Sequence, residues 1–207
     1  MTSTDFDILV VGGGHAGIEA ALAAARLGAE TALITHDTRE IGRMPCNPAI
    51  GGLGKGHLVR EIDVLGGEMG AVIDQSGIQF RLLNRKKGPA VQSPRAQADK
   101  YLYQKTMMER VLAQENLTVI EADAAGILYT EKGPDPERPL SRGVLLDNGR
   151  EVAAARTILC TGTFLKGLMH VGESQTIGGR EGAASSEGLS SSLVDLGPVS
   201  YTHLRAH

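Results

Sequence analysis

The chain of 207 residues has few cysteines, few aromatic side chains and no long apolar run. It contains no tryptophan and only two cysteines, and two cysteines are too few for a disulfide framework. No apolar run approaches the roughly 18 residues of a membrane-spanning helix. Residues 1–7 carry two aspartates and no basic residue, unlike a secretory signal. We therefore expect a cytoplasmic protein that has no contact with a membrane.

The chain also lacks an overall excess of basic charge. Lysine and arginine number 21 against 24 acidic residues, so the net charge is −3. This excludes a generally basic nucleic-acid-binding protein but allows a local basic patch. Apolar residues make up 42% of the chain, which is enough for a folded core. The 27 glycines follow no repeat, so we expect them in loops where the backbone approaches another group closely.

The N-terminal segment combines an apolar strand, a glycine-rich turn and an alanine-rich helix. Residues 6–11 predict a buried parallel strand, and residues 31–35 predict a second one after the helix. The turn GGGHAG at residues 12–17 matches the dinucleotide fingerprint, in which each glycine allows either a tight turn or a close approach. We predict a dinucleotide site made by Gly12, Gly13, Gly14, His15, Ala16 and Gly17.

Two further observations concern the identity of the dinucleotide. The acidic residue that usually binds the ribose is not at the end of the second strand, where Thr35 and His36 stand and Asp37 follows. The ribose contact is therefore left open between backbone, His36 and Asp37. A later apolar strand running into Thr161 favours FAD over NAD as the bound nucleotide.

The remaining pattern predicts an α/β protein. Helices are predicted at residues 55–65, with Leu58, Ile62 and Leu65 inward, and at residues 95–114, with Tyr101, Leu102, Met108, Val111 and Leu112 inward. Strands are predicted at residues 78–83, 117–122 and 157–160, and a small antiparallel sheet at residues 127–130, 143–146 and 151–154. The predicted fold class is a Rossmann-like α/β domain with a small antiparallel β insertion.

The most unusual segment is a loop in which Cys46 stands between two prolines. Lys55, His57 and a predicted helix start lie just downstream, and cations and helix N-termini lower the pKa of a thiol. A small buried core residue is the other reading of a free cysteine. The loop alone leaves both readings open, whereas Cys160 in an apolar strand is predicted to be core.

The loop and the turn together resemble the glucose-inhibited division protein A family of bacterial tRNA-modifying enzymes. The resemblance rests on GGGHAG at residues 12–17 and on the string CNPAIGGLGKGHLV at residues 46–59. It extends from about Phe6 to about Leu196 through IDQ at 73–75, GIQFR at 77–81, KGPAV at 87–91, RAQAD at 95–99, GTFL at 162–165 and GGR at 178–180.

The resemblance implies a Rossmann-like FAD-binding domain of the glutathione-reductase type, incomplete in this chain, and a specific activity. Family members use FAD, NADH and methylenetetrahydrofolate to install a (carboxymethyl)aminomethyl group at C5 of the wobble uridine of tRNA, together with a GTPase partner and as homodimers. Cys46 matches the first of two cysteines implicated in this chemistry, and the second lies downstream of residue 207. Ala124 and Ser186 match positions that contact FAD. Ile177 stands where the family has serine before GGR, so a side-chain role there is in doubt.

A basic segment supplies a candidate RNA-binding surface. Residues 81–110 contain eight basic and two acidic residues. Phosphate backbones bind such patches, although a charge run is also typical of a solvated helix face. We predict solvated positions for Lys100, Lys105 and Arg110. The predicted RNA-binding residues, which flank a Gly-Pro loop, are Arg85, Lys86, Lys87 and Arg95. The alternative role of this loop is to cover the flavin.

The predicted organisation is the N-terminal part of an FAD-binding domain at residues 1–198. Residues 199–207 show no pattern in common with it and are predicted to be a non-native tail. No metal site is predicted, and the chain alone is expected to be inactive. The alternatives are a folate- and FAD-dependent tRNA uridine C5-methyltransferase and a non-catalytic flavin- and tRNA-binding fragment.

Overall fold

The computed structural model describes residues 5–45, 47–130, 139–163, 165, 168–171, 174–177 and 187–196. The strands are β1 (Phe6–Val11), β2 (Thr31–Thr35), β3 (Ala49–Gly51), β4 (Gly77–Leu83), β5 (Ser93–Ala98), β6 (Leu117–Glu121), β7 (Ala124–Thr130), β8 (Leu140–Leu146), β9 (Glu151–Leu159), β10 (Leu168–Val171) and β11 (Ser174–Ile177). The helices are α1 (His15–Arg26), α2 (Lys55–Val64), α3 (Glu68–Ser76), α4 (Lys100–Leu112) and α5 (Glu187–Asp195).

A six-stranded mixed sheet in the order β6–β2–β1–β9–β8–β7 positions the N-terminal motif. β1 lies parallel to both β2 and β9, and β2 lies parallel to β6. Every residue of β2 is buried, as expected for a parallel strand covered on both faces. The predicted strand–turn–helix–strand unit is thereby confirmed.

The predicted small antiparallel sheet is present as an extension of this large sheet. β8 pairs antiparallel with both β7 and β9. The sequence predicted separate strands at residues 151–154 and 157–160, but β9 is one strand of nine residues. Its first residues pair with β8 and its later ones with β1, so a single strand joins the two parts.

A second sheet has the strand order β3–β5–β4. It shows that the predicted helix at residues 95–114 is wrong at its N-terminal end. Residues 93–98 form the central strand β5, which pairs antiparallel on both sides. The helix begins only after Asp99, whose carboxylate accepts hydrogen bonds from the backbone N–H groups of Tyr101 and Leu102, each at 3.0 Å. Strand pairing and this N-cap together outweigh the helical propensity of residues 95–98.

The inward faces predicted for two helices are also partly wrong. On α4 the side chains buried in the core are Tyr103, Met107 and Val111, whereas Tyr101, Leu102 and Leu112 are exposed. On α2, Leu58 and Leu65 are exposed, and Gly56 is the buried residue. A Cβ at Gly56 would overlap the Ser93 hydroxyl, so α2 packs on β5 through its smallest residue. On α2, the large apolar residues therefore predicted the wrong face of the helix.

Two apolar cores cover the two faces of the large sheet. Val10 and Leu33 pack with Ile18 and Met107 on one face. Leu9, Val11, Ala32 and Ile34 pack with β7–β9 residues on the other. The alternation along β1 and β2 explains why both strands read as continuous apolar runs.

A buried carboxylate links the helices that support the glycine turn. Glu68, at the start of α3, is 7% exposed and forms ion pairs with Arg26 of α1 and Arg110 of α4. The Glu19 carboxylate of α1 accepts hydrogen bonds from the backbone N–H of Glu68 at 3.0 Å and of Met69 at 2.7 Å. This network joins α1 to α3 and α4, and loss of its arginines would leave the buried Glu68 carboxylate uncompensated.

Candidate functional site

The turn between β1 and α1 requires glycine at two positions for steric reasons. Gly12 has φ +114°, and a Cβ there would overlap the carbonyl oxygen of Cys160. A Cβ at Gly17 would overlap the carbonyl oxygen of Gly12. The helix therefore packs directly on the turn, which is the role predicted for the first and third glycines of the fingerprint.

Gly14 has a different environment, because a Cβ there would meet no atom within 4 Å. It is the N-cap of α1, and no side chain caps that helix end. The open space in front of Gly14 thus faces the positive end of a helix dipole, where anions bind. Gly13 closes the other side of the turn, since a Cβ there would lie 2.6 Å from the Thr35 hydroxyl oxygen. The residues present fit the diphosphate of a dinucleotide.

The side chain of His15, the first residue of α1, packs on Tyr103. The two ring centroids lie 5.6 Å apart. Tyr103 is fully buried, and burial raises the pKa of its phenol strongly, with further increases from the charges of Glu19 and Glu68. Tyr103 is therefore a neutral phenol at physiological pH, and its buried hydroxyl has no hydrogen-bond partner among the described residues.

The carboxyl end of β2 holds a group of charged side chains near the turn. His36 Nδ1 lies 2.9 Å from Asp123 Oδ2, and Asp123 precedes the buried Ala124. Asp37 accepts a hydrogen bond from Arg39 Nη2 at 2.7 Å, and this bond holds the pKa of Asp37 below its ordinary value. His36 and Asp37 thus follow the carboxyl end of β2, and Asp123 brings the start of β7 next to His36. The ribose contact stays open between backbone, His36 and Asp37.

We expect His36 to titrate above its ordinary pKa. Its hydrogen bond to Asp123 and the charge of that carboxylate raise the pKa of His36 above 6.5, against the smaller opposing effect of burial. The protonated form is favoured, so the ion pair is formed below that pKa and lost as the pH rises through it. An NMR titration of the His36 ring should show this upward shift, and Asp123→Asn should reverse most of it. An unshifted titration in the unaltered chain would contradict the pairing.

The four predicted RNA-binding residues lie on one β-hairpin, which we call the basic hairpin (residues 81–95). Arg85, Lys86 and Lys87 are exposed in the loop that connects β4 and β5. Arg95 is on β5, directly opposite Arg81 on β4. The Gln92 side-chain amide donates to the carbonyl of Lys87 at 2.9 Å and orders the loop. No acidic residue occurs between residues 75 and 98, so the hairpin is uniformly positive.

Cys46 and Ser186 lie outside the described residues, so their proposed roles stay predictions. Close to Cys46, Met44 is buried, and Asn47 accepts a hydrogen bond from Arg95 at 3.3 Å. Cys160 is half-buried against the core below the glycine turn, and burial raises the pKa of its thiol. The prediction that Cys160 is a core residue is consistent with this environment.

Comparison with known proteins decides the family. The sequence profile described as "Glucose inhibited division protein A" matches residues 7–204. The chain belongs to this family. The match extends six residues into residues 199–207, the segment predicted to be a tail. Family membership confirms the resemblance seen in the glycine turn and in the cysteine loop.

The similar proteins with known names are much longer than this chain. The tRNA uridine 5-carboxymethylaminomethyl modification enzyme MnmG of Granulibacter bethesdensis is 52% identical over 188 residues, covering 91% of this chain and 29% of its own length. The enzyme of the same name from Geobacter metallireducens is 53% identical, covering 93% and 30%. The chain thus spans about a third of the length of these relatives.

Solved structures confirm the fold class of this family member. GidA of Aquifex aeolicus superposes with a TM-score of 0.84 at 48% identity, covering 94% of this chain and 31% of the other. The GidA-related protein of Thermus thermophilus superposes with a TM-score of 0.60 at 19% identity, covering 93% and 68%, and at that identity it supports the fold alone. The α/β flavoprotein-type fold with its added antiparallel strands is therefore confirmed.

Sequence reasoning missed several residues that shape the site in this family member. Thr35 closes the glycine turn, Tyr103 supports His15, and Asp123 pairs with His36. The sequence pattern identifies Thr35 only as the last residue of a predicted strand. The other two come from segments distant along the chain, and no local pattern could have revealed them. In the part of the chain that the structure describes, no group of metal-ligating side chains is found and no helix is long and apolar enough to cross a membrane.

Proposed function

We propose that this chain is the flavin-binding part of a cytoplasmic enzyme that installs a (carboxymethyl)aminomethyl group at C5 of the wobble uridine of tRNA. The observation that carries the proposal is a glycine turn shaped for a diphosphate. It occurs in a chain that shares about half of its aligned residues with an enzyme named for this reaction. A folate-dependent uridine methyltransferase is not favoured, because those relatives carry the carboxymethylaminomethyl name.

FAD is the nucleotide that we assign to the glycine turn. Gly14 would let the backbone approach its diphosphate, Gly12 and Gly17 would form the tight turn beneath it, and the start of α1 would stabilise the charge. Ala124 and Ser186 are the further candidates for contacts with FAD. When bound, FAD supplies the redox chemistry, with NADH as reductant and methylenetetrahydrofolate as the one-carbon donor.

Cys46 is the candidate catalytic residue. Uracil C5 is a weak nucleophile, and a thiolate that adds at C6 places negative charge where C5 can attack an electrophile. We propose that Cys46 supplies this thiol, either as the nucleophile or as a supporting group. A GTPase partner and a second copy of the chain complete the assembly that we propose.

The basic hairpin is the surface that we assign to tRNA. Its loop presents Arg85, Lys86 and Lys87 to solvent without a neighbouring carboxylate on the same hairpin. Phosphate contacts of this kind supply affinity that falls with salt, because binding releases counterions from the RNA. Arg95 lies closer to the core of the domain. It would position the bound RNA strand as well as add affinity.

Substituting two hairpin lysines tests this assignment. For an unmodified tRNA transcript, log affinity falls as log salt rises. Lys86→Gln together with Lys87→Gln should make this slope shallower, reducing its magnitude by about 1.5–2. Fluorescence anisotropy at several salt concentrations measures the slope. The matched control is Lys100→Gln with Lys105→Gln on α4, which removes equal charge and should change the slope by less than half as much. Equal slopes for the two double variants would contradict RNA binding by the hairpin.

A further inference from the structure

A cavity of about 370 Å³ lies between the helices α2 and α3 and the three-stranded sheet. Its walls are mainly apolar, with Ile50 and Pro94 from the sheet and Val59 and Ile73 from the helices. None of the residues of the glycine turn or of the β2 end borders it. The volume lies within the roughly 300–1,000 Å³ of small-ligand sites, so it accommodates a ligand of nucleotide size.

Two solvent-exposed carboxylates border this cavity. Asp63 of α2 and Asp74 of α3 both border it, and neither side chain is bonded to or paired with another described residue. A Cβ at Gly70 would overlap the Asp63 carboxylate, so glycine at that position leaves room for the charged group. The cavity wall thus presents acceptors that suit a ligand with N–H donors.

Arginines border the same cavity without a carboxylate partner. Arg81 and Arg95 are directly opposite on β4 and β5, an arrangement that destabilises a sheet because like charges repel. Arg95 is bonded only to the neutral side-chain amides of Asn47 and Gln97 among the described residues. A bound anion would relieve this repulsion, and arginine forms its strongest hydrogen bonds with phosphate and carboxylate.

The remaining feature is an exposed aromatic ring. Phe80 borders the cavity and is 57% exposed, and aromatic faces of this kind stack on planar bases. The described residues that line the cavity include no cysteine, lysine, histidine or hydroxyl side chain. The chemically distinctive side chains at the cavity are therefore carboxylates, arginines and one aromatic ring.

We propose that this cavity binds one guanine nucleotide. The base would stack on Phe80 and donate its N1–H and N2–H groups to Asp63 or Asp74. Its phosphate would lie between Arg81 and Arg95. Because the basic hairpin continues directly from this strand pair, the nucleotide is an unstacked one within the bound RNA, and this source rests on the proposed RNA binding by the hairpin.

Calorimetric titration of the chain with GMP and with IMP tests the pocket, because IMP lacks only the exocyclic amino group. We expect GMP to bind about tenfold more tightly, the usual effect of one well-placed base contact. The same ratio is expected for the heptamers UUUGUUU and UUUIUUU, with inosine replacing guanosine. Asp63→Asn or Asp74→Asn should bring the ratio to one, and Phe80→Leu should weaken every ligand. Ile78→Leu, on the same strand outside the cavity, should change nothing.

Each other outcome is decisive. Equal binding of GMP and IMP, or no binding of either mononucleotide or heptamer, overturns the proposal and is measured on the unaltered chain. Competition by FAD, with flavin loss in Phe80→Leu, assigns the cavity to the flavin and also overturns it. Discrimination by mononucleotides alone supports the pocket but identifies a free nucleotide as its ligand. A further outcome is that GMP still binds more tightly than IMP while Lys86→Gln with Lys87→Gln leaves RNA affinity unchanged. That result supports the guanine pocket and contradicts RNA binding by the basic hairpin.

Discussion

Gly14→Glu is expected to leave the domain folded and to abolish flavin binding. Gly14 has φ −77°, which any residue adopts, and a side chain there would extend into open space. That space is the one assigned to the diphosphate, so glutamate would place a like charge against the ligand at a cost of several kcal/mol. A loss of about 3 kcal/mol is roughly a hundredfold in affinity. The measurement is flavin absorbance per mole of purified protein.

Two control variants separate loss of ligand from loss of fold. Gly88→Glu makes the same substitution at another open position with an ordinary φ of −60°, and it should keep its flavin. Gly17→Ala should instead disturb the turn itself, since its Cβ would overlap the Gly12 carbonyl oxygen. Thermal unfolding of the flavin-free proteins, which lack any stabilisation by the ligand, should therefore be unchanged in both glutamate variants and lowered in Gly17→Ala. Stoichiometric flavin in a folded Gly14→Glu protein would contradict the assignment of the turn.

The part of the fold that could be predicted is the part determined by neighbouring residues. The strand, turn and helix at residues 6–26 follow one another with apolar periodicity, and Gly12 and Gly17 are required by contacts within the same unit or to its adjacent strand. The hairpin turn at Gly149, with φ +82°, likewise follows from local chemistry. Local signals of this kind are complete before the chain has folded.

The parts that could not be predicted depend on distant pairing. Residues 93–98 have no strong strand signal, and they become a strand because β3 and β4 pair with both of their edges. The inward face of α4 depends on Gly42. A Cβ at that position would lie 2.8 Å from Met107, so glycine leaves room for the Met107 side chain. The pairing of His36 with Asp123 joins residues 87 positions apart. Tertiary context determined each of these outcomes, and sequence patterning carries none of that information.

Cys46→Ser is expected to abolish tRNA modification in a full-length family enzyme that carries this sequence. A hydroxyl has nearly the size of a thiol but stays protonated at neutral pH, so it cannot add to C6 of uracil at a useful rate. We expect activity to fall roughly a thousandfold or more, as when a nucleophile is removed from an enzyme. Flavin content should be unchanged, because the glycine turn is formed by other residues. Mass spectrometry of tRNA nucleosides and flavin absorbance provide the two measurements.

Cys160→Ser is the matched control for this substitution. Cys160 is half-buried against the core, and burial raises the pKa of its thiol, which disfavours the thiolate. Serine there should keep modification while lowering stability by about 1–3 kcal/mol, because a hydroxyl is placed in apolar surroundings. Normal modification by Cys46→Ser would remove its catalytic role. Loss of both flavin and activity in that variant would instead indicate that the proline-flanked loop shapes the cofactor site, and the two measurements distinguish these outcomes.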